Sequence, residues 1–122
     1  MQISPSEWEV MKVVWKQSEP STAQSIIGAL AKSNHWSAAT IKTLINRLVN
    51  KGALQYKKQG NFYLYTPGVE EQACQAAEFD SFMQRVFDGS VSPLMAHFTS
   101  SQKLTSAEID QLEKLLGKAL KP

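Results

Sequence analysis

Ser37-Ala38-Ala39-Thr40-Ile41-Lys42-Thr43-Leu44-Ile45-Asn46-Arg47-Leu48-Val49-Asn50-Lys51-Gly52 is the stretch on which the fold turns. Ser37 has the short polar side chain that caps a helix start, Trp36 and Ile41 stand at the spacing of a hydrophobic staple, and Gly52 is placed as the C-terminal stop. Between them Ile41, Leu44, Ile45, Leu48 and Val49 recur every three or four residues, which predicts one buried side of a helix. The other side holds Thr40, Lys42, Thr43, Asn46, Arg47, Asn50 and Lys51. No acid interrupts it.

Upstream, Ser4-Pro5-Ser6-Glu7 predicts a first helix to about Gln17: Ser4 caps, Pro5 suits the first helical position and Glu7 completes a capping box. Trp8, Met11, Val14 and Trp15 would form its buried stripe. Pro20 disfavours helix at its predecessor, so a second helix starts at Ser21 or Thr22, carries Ala23, Ile26, Ile27 and Leu30, and fades near Ser33-Asn34. Downstream of Gly52 the period becomes two. Leu54 and Tyr56, then Phe62 and Leu64 alternating with Tyr63 and Tyr65, predict a β-hairpin whose basic tip is Lys57-Lys58-Gln59-Gly60-Asn61. Three short helices followed by a hairpin is the order of a winged helix, an elaboration of helix-turn-helix.

The remaining residues read as helical. A helix from Glu70 to about Asp88 carries Phe79, Phe82, Met83, Val86 and Phe87 on a wide apolar arc, and Gly89 with Pro93 marks a break. A short helix around Leu94 to Phe98 follows. Thr105-Ser106-Ala107-Glu108 is another capping box, opening a stripe of Ile109, Leu112, Leu115 and Leu116. This surplus of apolar surface needs a partner, and a second copy of the chain is the economical one. The expected fold is mostly α with a small β-hairpin: a winged helix-turn-helix domain over residues 1–67 and a helical dimerisation region over residues 68–122.

Charge separates the same two regions. The net charge of the 122 residues is +2, but residues 1–67 carry eight basic side chains against three acids, and residues 68–122 five against eight. The first region is therefore at +5 and the second at −3, and a polyanion is the natural partner of the first. No apolar run approaches the length of a membrane span and Met1 to Ser4 lacks the pattern of a secretory signal, so a cytoplasmic protein with no membrane partner is expected. Cys74 is the single cysteine, which rules out an internal disulfide. His35 and His97 are isolated, the carboxylates are scattered, and no glycine-rich phosphate loop occurs; no enzyme, cofactor or metal site is expected.

Base edges in the DNA major groove offer hydrogen-bond patterns that Arg, Lys, Asn and Thr side chains match. Arg47 and Lys42 suit guanine or phosphate, Asn46 suits adenine, and Thr40 and Thr43 suit a thymine methyl or a phosphate. Ser37 at the helix start, Lys51 at its end, and Lys57 and Lys58 in the hairpin suit the phosphate backbone. The alternative that these residues leave open is a winged helix that binds another protein, with its positive charge incidental.

The blocks Glu7-Trp8-Glu9-Val10-Met11, Trp36-Ser37-Ala38-Ala39-Thr40-Ile41-Lys42-Thr43-Leu44, Arg47-Leu48, Lys51-Gly52 and Tyr63-Leu64-Tyr65-Thr66-Pro67 closely resemble the penicillinase-repressor (BlaI/MecI/CopY) family of winged-helix repressors. The resemblance covers nearly the whole chain. It implies a homodimeric transcriptional repressor on inverted-repeat operators of the TACA/TGTA kind, with Thr40, Lys42, Thr43, Asn46 and Arg47 as operator contacts. Ala39 stands where β-lactam-responsive members tend to carry a basic residue. Where those members are cleaved at an Asn-Phe bond, this chain has His97-Phe98, and it lacks the paired Cys-x-Cys motifs of the copper-responsive branch. The inducing protease or metal donor, and with it the signal, stays unassigned.

Overall fold

The computed structural model describes residues 1–101, 105–108, 110, 111 and 114. They form α1 (Pro5–Lys16), β1 (Ser21–Thr22), α2 (Ala23–Asn34), α3 (Ala38–Lys51), β2 (Leu54–Gln59), β3 (Phe62–Pro67), α4 (Glu71–Phe87) and α5 (Val91–Ser101). The chain divides into two compact units, residues 1–74 and residues 75–122.

Helix boundaries in the first unit follow the capping chemistry. The Ser4 hydroxyl accepts from the Glu7 N–H at 3.2 Å while the Ser4 N–H donates to Glu7 Oε1 at 2.9 Å, so both halves of the α1 capping box are made. Thr22 caps α2 by accepting from the Ser25 N–H at 3.1 Å. His35 ends that helix in the left-handed conformation at φ 57°, and Gly52 ends α3 at φ 85°, where a Cβ would be strained.

These helices bury Val10, Met11 and Val14 of α1, Ile26 and Leu30 of α2, and Ile41, Leu44, Ile45 and Leu48 of α3 in one core, closed by Ala53 and Leu54. The α1 stripe is rotated from its expected position. Val10 sits at its centre, whereas Trp8 and Trp15 lie half-buried at the margin with their rings 5.6 Å apart. Indoles carry an N–H that needs a partner, which favours the edge of a core over its middle. Trp15 Nε1 donates to the Val69 carbonyl at 3.1 Å.

The sheet has one strand more than a hairpin. Its order is β1-β3-β2, with Ser21 opposite Tyr65 and Thr22 opposite Leu64. Two residues carry no readable period, so β1 has no signature in the sequence. The pairing buries Ser21 and leaves the cap to Thr22. Just beyond β3, the Gly68 N–H donates to the Ala53 carbonyl at 2.8 Å. A Cβ at Gly68 would collide with the Gly52 carbonyl oxygen, so this close backbone approach requires glycine.

In the second unit α4 ends at Asp88 (φ 53°) and Gly89 (φ 81°), with the Gly89 N–H closing onto the Met83 carbonyl at 2.9 Å. α5 is longer than the Leu94–Phe98 segment expected, because Pro93 falls in its first turn, where a missing N–H costs nothing. The capping box at Thr105 is formed: its hydroxyl accepts from the Glu108 N–H at 3.2 Å, and its own N–H donates to Glu108 Oε1 at 3.1 Å. Leu104, Ile109, Leu112, Leu115 and Leu116 lie outside the described residues.

Candidate nucleic-acid interface

The outer side of α3 presents Thr40, Lys42, Thr43, Asn46, Arg47 and Asn50 to solvent, while Ile41, Leu44, Ile45 and Leu48 anchor its inner side in the core. Each has another member three or four residues away (Thr40 and Thr43, Lys42 and Asn46, Thr43 and Arg47, Asn46 and Asn50), so they form one continuous ridge on a helix with little freedom to roll. At its start the Ser37 hydroxyl accepts from the Thr40 N–H at 3.2 Å and lies 3.0 Å from the Thr40 hydroxyl. The Thr43 hydroxyl donates to the Ala39 carbonyl at 3.0 Å, which fixes its rotamer. Among the described residues, Lys42 and Arg47 have no ion-pair partner. Their charge is available to an outside anion.

Lys51 is placed differently. Its ammonium donates to Glu7 Oε1 at 2.6 Å and to the Gln2 carbonyl at 2.7 Å. The Glu7 side chain is 2% exposed and that of Lys51 35%. Burial alone would push the Glu7 carboxyl up, but the Lys51 ammonium and the hydrogen bonds from Ser4 together hold it below its ordinary value. The pair joins the start of α1 to the end of α3. Nothing in either local sequence signals it, since Glu7 reads fully as a capping residue.

The hairpin turns at Gly60-Asn61, with Gly60 at φ 62°. Lys57 and Lys58 therefore belong to β2 and not to the tip: Lys57 stands opposite Leu64 and Lys58 opposite Tyr63. The two-residue turn that Gly-Asn favours lets pairing continue through both lysines. Neighbours on a strand point to opposite faces, so the two ammonium groups diverge. Lys58 shares its face with Tyr56, Tyr63 and Tyr65, and Lys57 shares the other with Phe62 and Leu64. Between α3 and the tyrosine face lies an open cleft of about 470 Å³, lined by Asn46, Val49, Asn50, Tyr56, Tyr63 and Tyr65. Sequence reasoning left Asn50 and the three tyrosines without a role, although period-two alternation around a Gly60-Asn61 turn would have put the tyrosines on one face.

In the second unit Phe79, Phe82 and Val86 are exposed at 51%, 37% and 55%, whereas Met83 between them is buried within its own chain. Phe87 is half-buried against Phe82, ring centroids 5.6 Å apart, and Leu94 and Phe98 are half-buried in α5. The His97-Phe98 peptide bond lies inside the same helix. Cys74 is half-buried, and burial pushes its thiol up, away from the reactive thiolate. Among the described residues no group of three His, Cys, Asp or Glu side chains is placed to hold a metal, and no helix is long and apolar enough to cross a membrane.

Residues 3–118 match the model of the penicillinase repressor family. The chain is similar to the penicillinase repressor of Bacillus licheniformis, 37% identical over 115 residues that span 94% of this chain and 89% of that one. It is also similar to the methicillin resistance regulatory protein MecI of Mammaliicoccus sciuri, 34% identical over 96% of this chain and 94% of that one. Among solved structures, the monomeric form of Bacillus licheniformis BlaI in complex with the blaP half-operator superposes with a TM-score of 0.53. It is 44% identical and covers 59% of this chain and 87% of that chain.

Proposed function

The chain belongs to the penicillinase repressor family, and on that premise we propose that it is a sequence-specific DNA-binding transcriptional repressor, a homodimer on an inverted-repeat operator of the TACA/TGTA kind. The observation that carries this reading is the exposed outer ridge of α3, free of acids and fixed by a buried apolar back. Arg47 and Asn46 read base edges, with Lys42, Thr40 and Thr43 beside them. Ser37 at the helix start and Lys58 in the wing hold the phosphate backbone. Lys51 acts from within, by fixing the end of α3 against α1 through Glu7.

Dimerisation is supported by the apolar side chains that α4 leaves in water, Phe79, Phe82 and Val86. A two-fold dimer sets two recognition helices in successive major grooves, about one helical turn apart, and blocks polymerase by occupancy. The protein works in the cytoplasm, where its DNA lies. The reading is tested by titrating the full chain against a duplex carrying the TACA/TGTA repeat and a scrambled duplex of equal composition, at two salt concentrations. Binding to the repeat is expected to be tighter by roughly a thousandfold or more at physiological salt. Equal affinity for the two duplexes overturns the reading and favours a module that binds protein.

A further inference from the structure

We propose that the cleft between α3 and the wing seats one phosphodiester of the DNA backbone, with the Tyr56 and Tyr63 phenols, the Asn50 carboxamide and the Lys58 ammonium as its donors. This rests on the reading of α3 as the DNA-reading helix and of Lys58 as a phosphate contact, and adds to it the tyrosine face of the wing and Asn50.

The cleft is lined by two carboxamides, three phenols and one valine. No carboxylate contributes, so nothing in it repels an anion and every polar side chain can donate a hydrogen bond. Lys58, opposite Tyr63 in the β2–β3 register, adds a positive charge on the same face. Tyr56 and Tyr63 keep 56% and 46% of their surface in water. Rings of that size are left exposed at a cost in hydration, and here they stand beside the ridge that faces DNA.

The phenols are also held in place. The Tyr56 ring meets the edge of Tyr63 at 5.4 Å between centroids and tilts against Tyr65 at 6.5 Å. Mutual packing leaves each ring few rotamers to lose on binding, which is how tyrosine supplies contacts at low entropic cost. Tyr65 forms the half-buried floor. Asn46 and Asn50, one helical turn apart, belong both to the cleft and to the outer ridge of α3. A strand whose bases meet the ridge passes its backbone into the cleft.

The test uses the full chain carrying Tyr56→Phe, Tyr63→Phe or both, which keep the rings and remove only the hydroxyls. Anisotropy titrations follow the repeat-bearing and scrambled duplexes from roughly 50 to 200 mM salt. Each single variant is expected to weaken both duplexes by the same factor, about three- to tenfold. The dependence of log affinity on log salt keeps its slope, because a phenol releases no counterion, whereas Lys58→Ala makes the slope shallower by about 0.9. A double Tyr→Phe variant that binds like the parent chain overturns the proposal, as does a loss confined to the repeat-bearing duplex, which would mean base reading. If that double variant is unchanged while Arg47→Ala abolishes the preference for the repeat, the seat is wrong and the reading of α3 stands. If the parent chain binds neither duplex, both fall.

Discussion

Glu7 completes the α1 capping box and, from 44 residues away in sequence, holds the ammonium of Lys51. The first role was legible, because a capping box is written in four consecutive residues. The second was not, because an ion pair between the ends of two helices depends on how those helices pack. The consequence can be measured. Removing one member of a fully buried pair costs about 3–5 kcal/mol, and since Lys51 keeps 35% of its side chain in water, Glu7→Ala should cost roughly 1–3 kcal/mol in urea unfolding. A loss under about 0.5 kcal/mol, the size of an ordinary surface change, would show that the pair does not hold the helices. Acid gives a second check. The folded carboxyl lies below its ordinary value of 4.5, so its contribution is complete above that pH and disappears as pH falls through the lower folded value. Glu7→Gln should flatten this acid-side decline; a variant with the parent's pH profile would contradict the assignment.

Among the elements, the long helices were the most legible and the sheet the least. The boundaries of α3 follow from Ser37 and Gly52, and its buried side from spacing alone. In the hairpin the alternation was read correctly but the turn was not: a five-residue polar run looked like a tip, whereas pairing persists to Gln59 and Phe62. Both lysines thereby lie on opposite faces of a strand and not at the hairpin tip. Lys58→Ala should accordingly weaken DNA binding more than Lys57→Ala, and equal losses would argue that wing contact does not depend on strand face. The turn after β3 shows the same limit of local reading. Gly68 looks like an ordinary linker glycine, yet its backbone lies against the end of α3. Gly68→Ala must displace Gly52 or break the Gly68–Ala53 hydrogen bond, and a loss of about 1–3 kcal/mol is expected from such overpacking. An unchanged urea midpoint would mean that the contact relaxes without cost.

For the molecule as a whole, the split in charge and the apolar surplus after Pro67 were visible in composition. Which residues remain uncovered was not, since it depends on packing: Met83 is consumed by its own chain while Phe79 and Val86 beside it are left in water. If that face joins two copies, Phe79→Glu should shift sedimentation from dimer to monomer. It should also weaken operator binding by losing the effective concentration that links half-sites. A Phe79→Glu chain that stays dimeric would move the interface elsewhere. Base reading by α3 is the central claim, and Arg47→Ala tests it most directly when its affinity for the repeat-bearing and the scrambled duplex is compared with the parent's. A loss of about 1–3 kcal/mol on the repeat, with a much smaller loss on the scrambled duplex, is the predicted result. Unchanged affinity for the repeat, or equal losses on both duplexes, would contradict it.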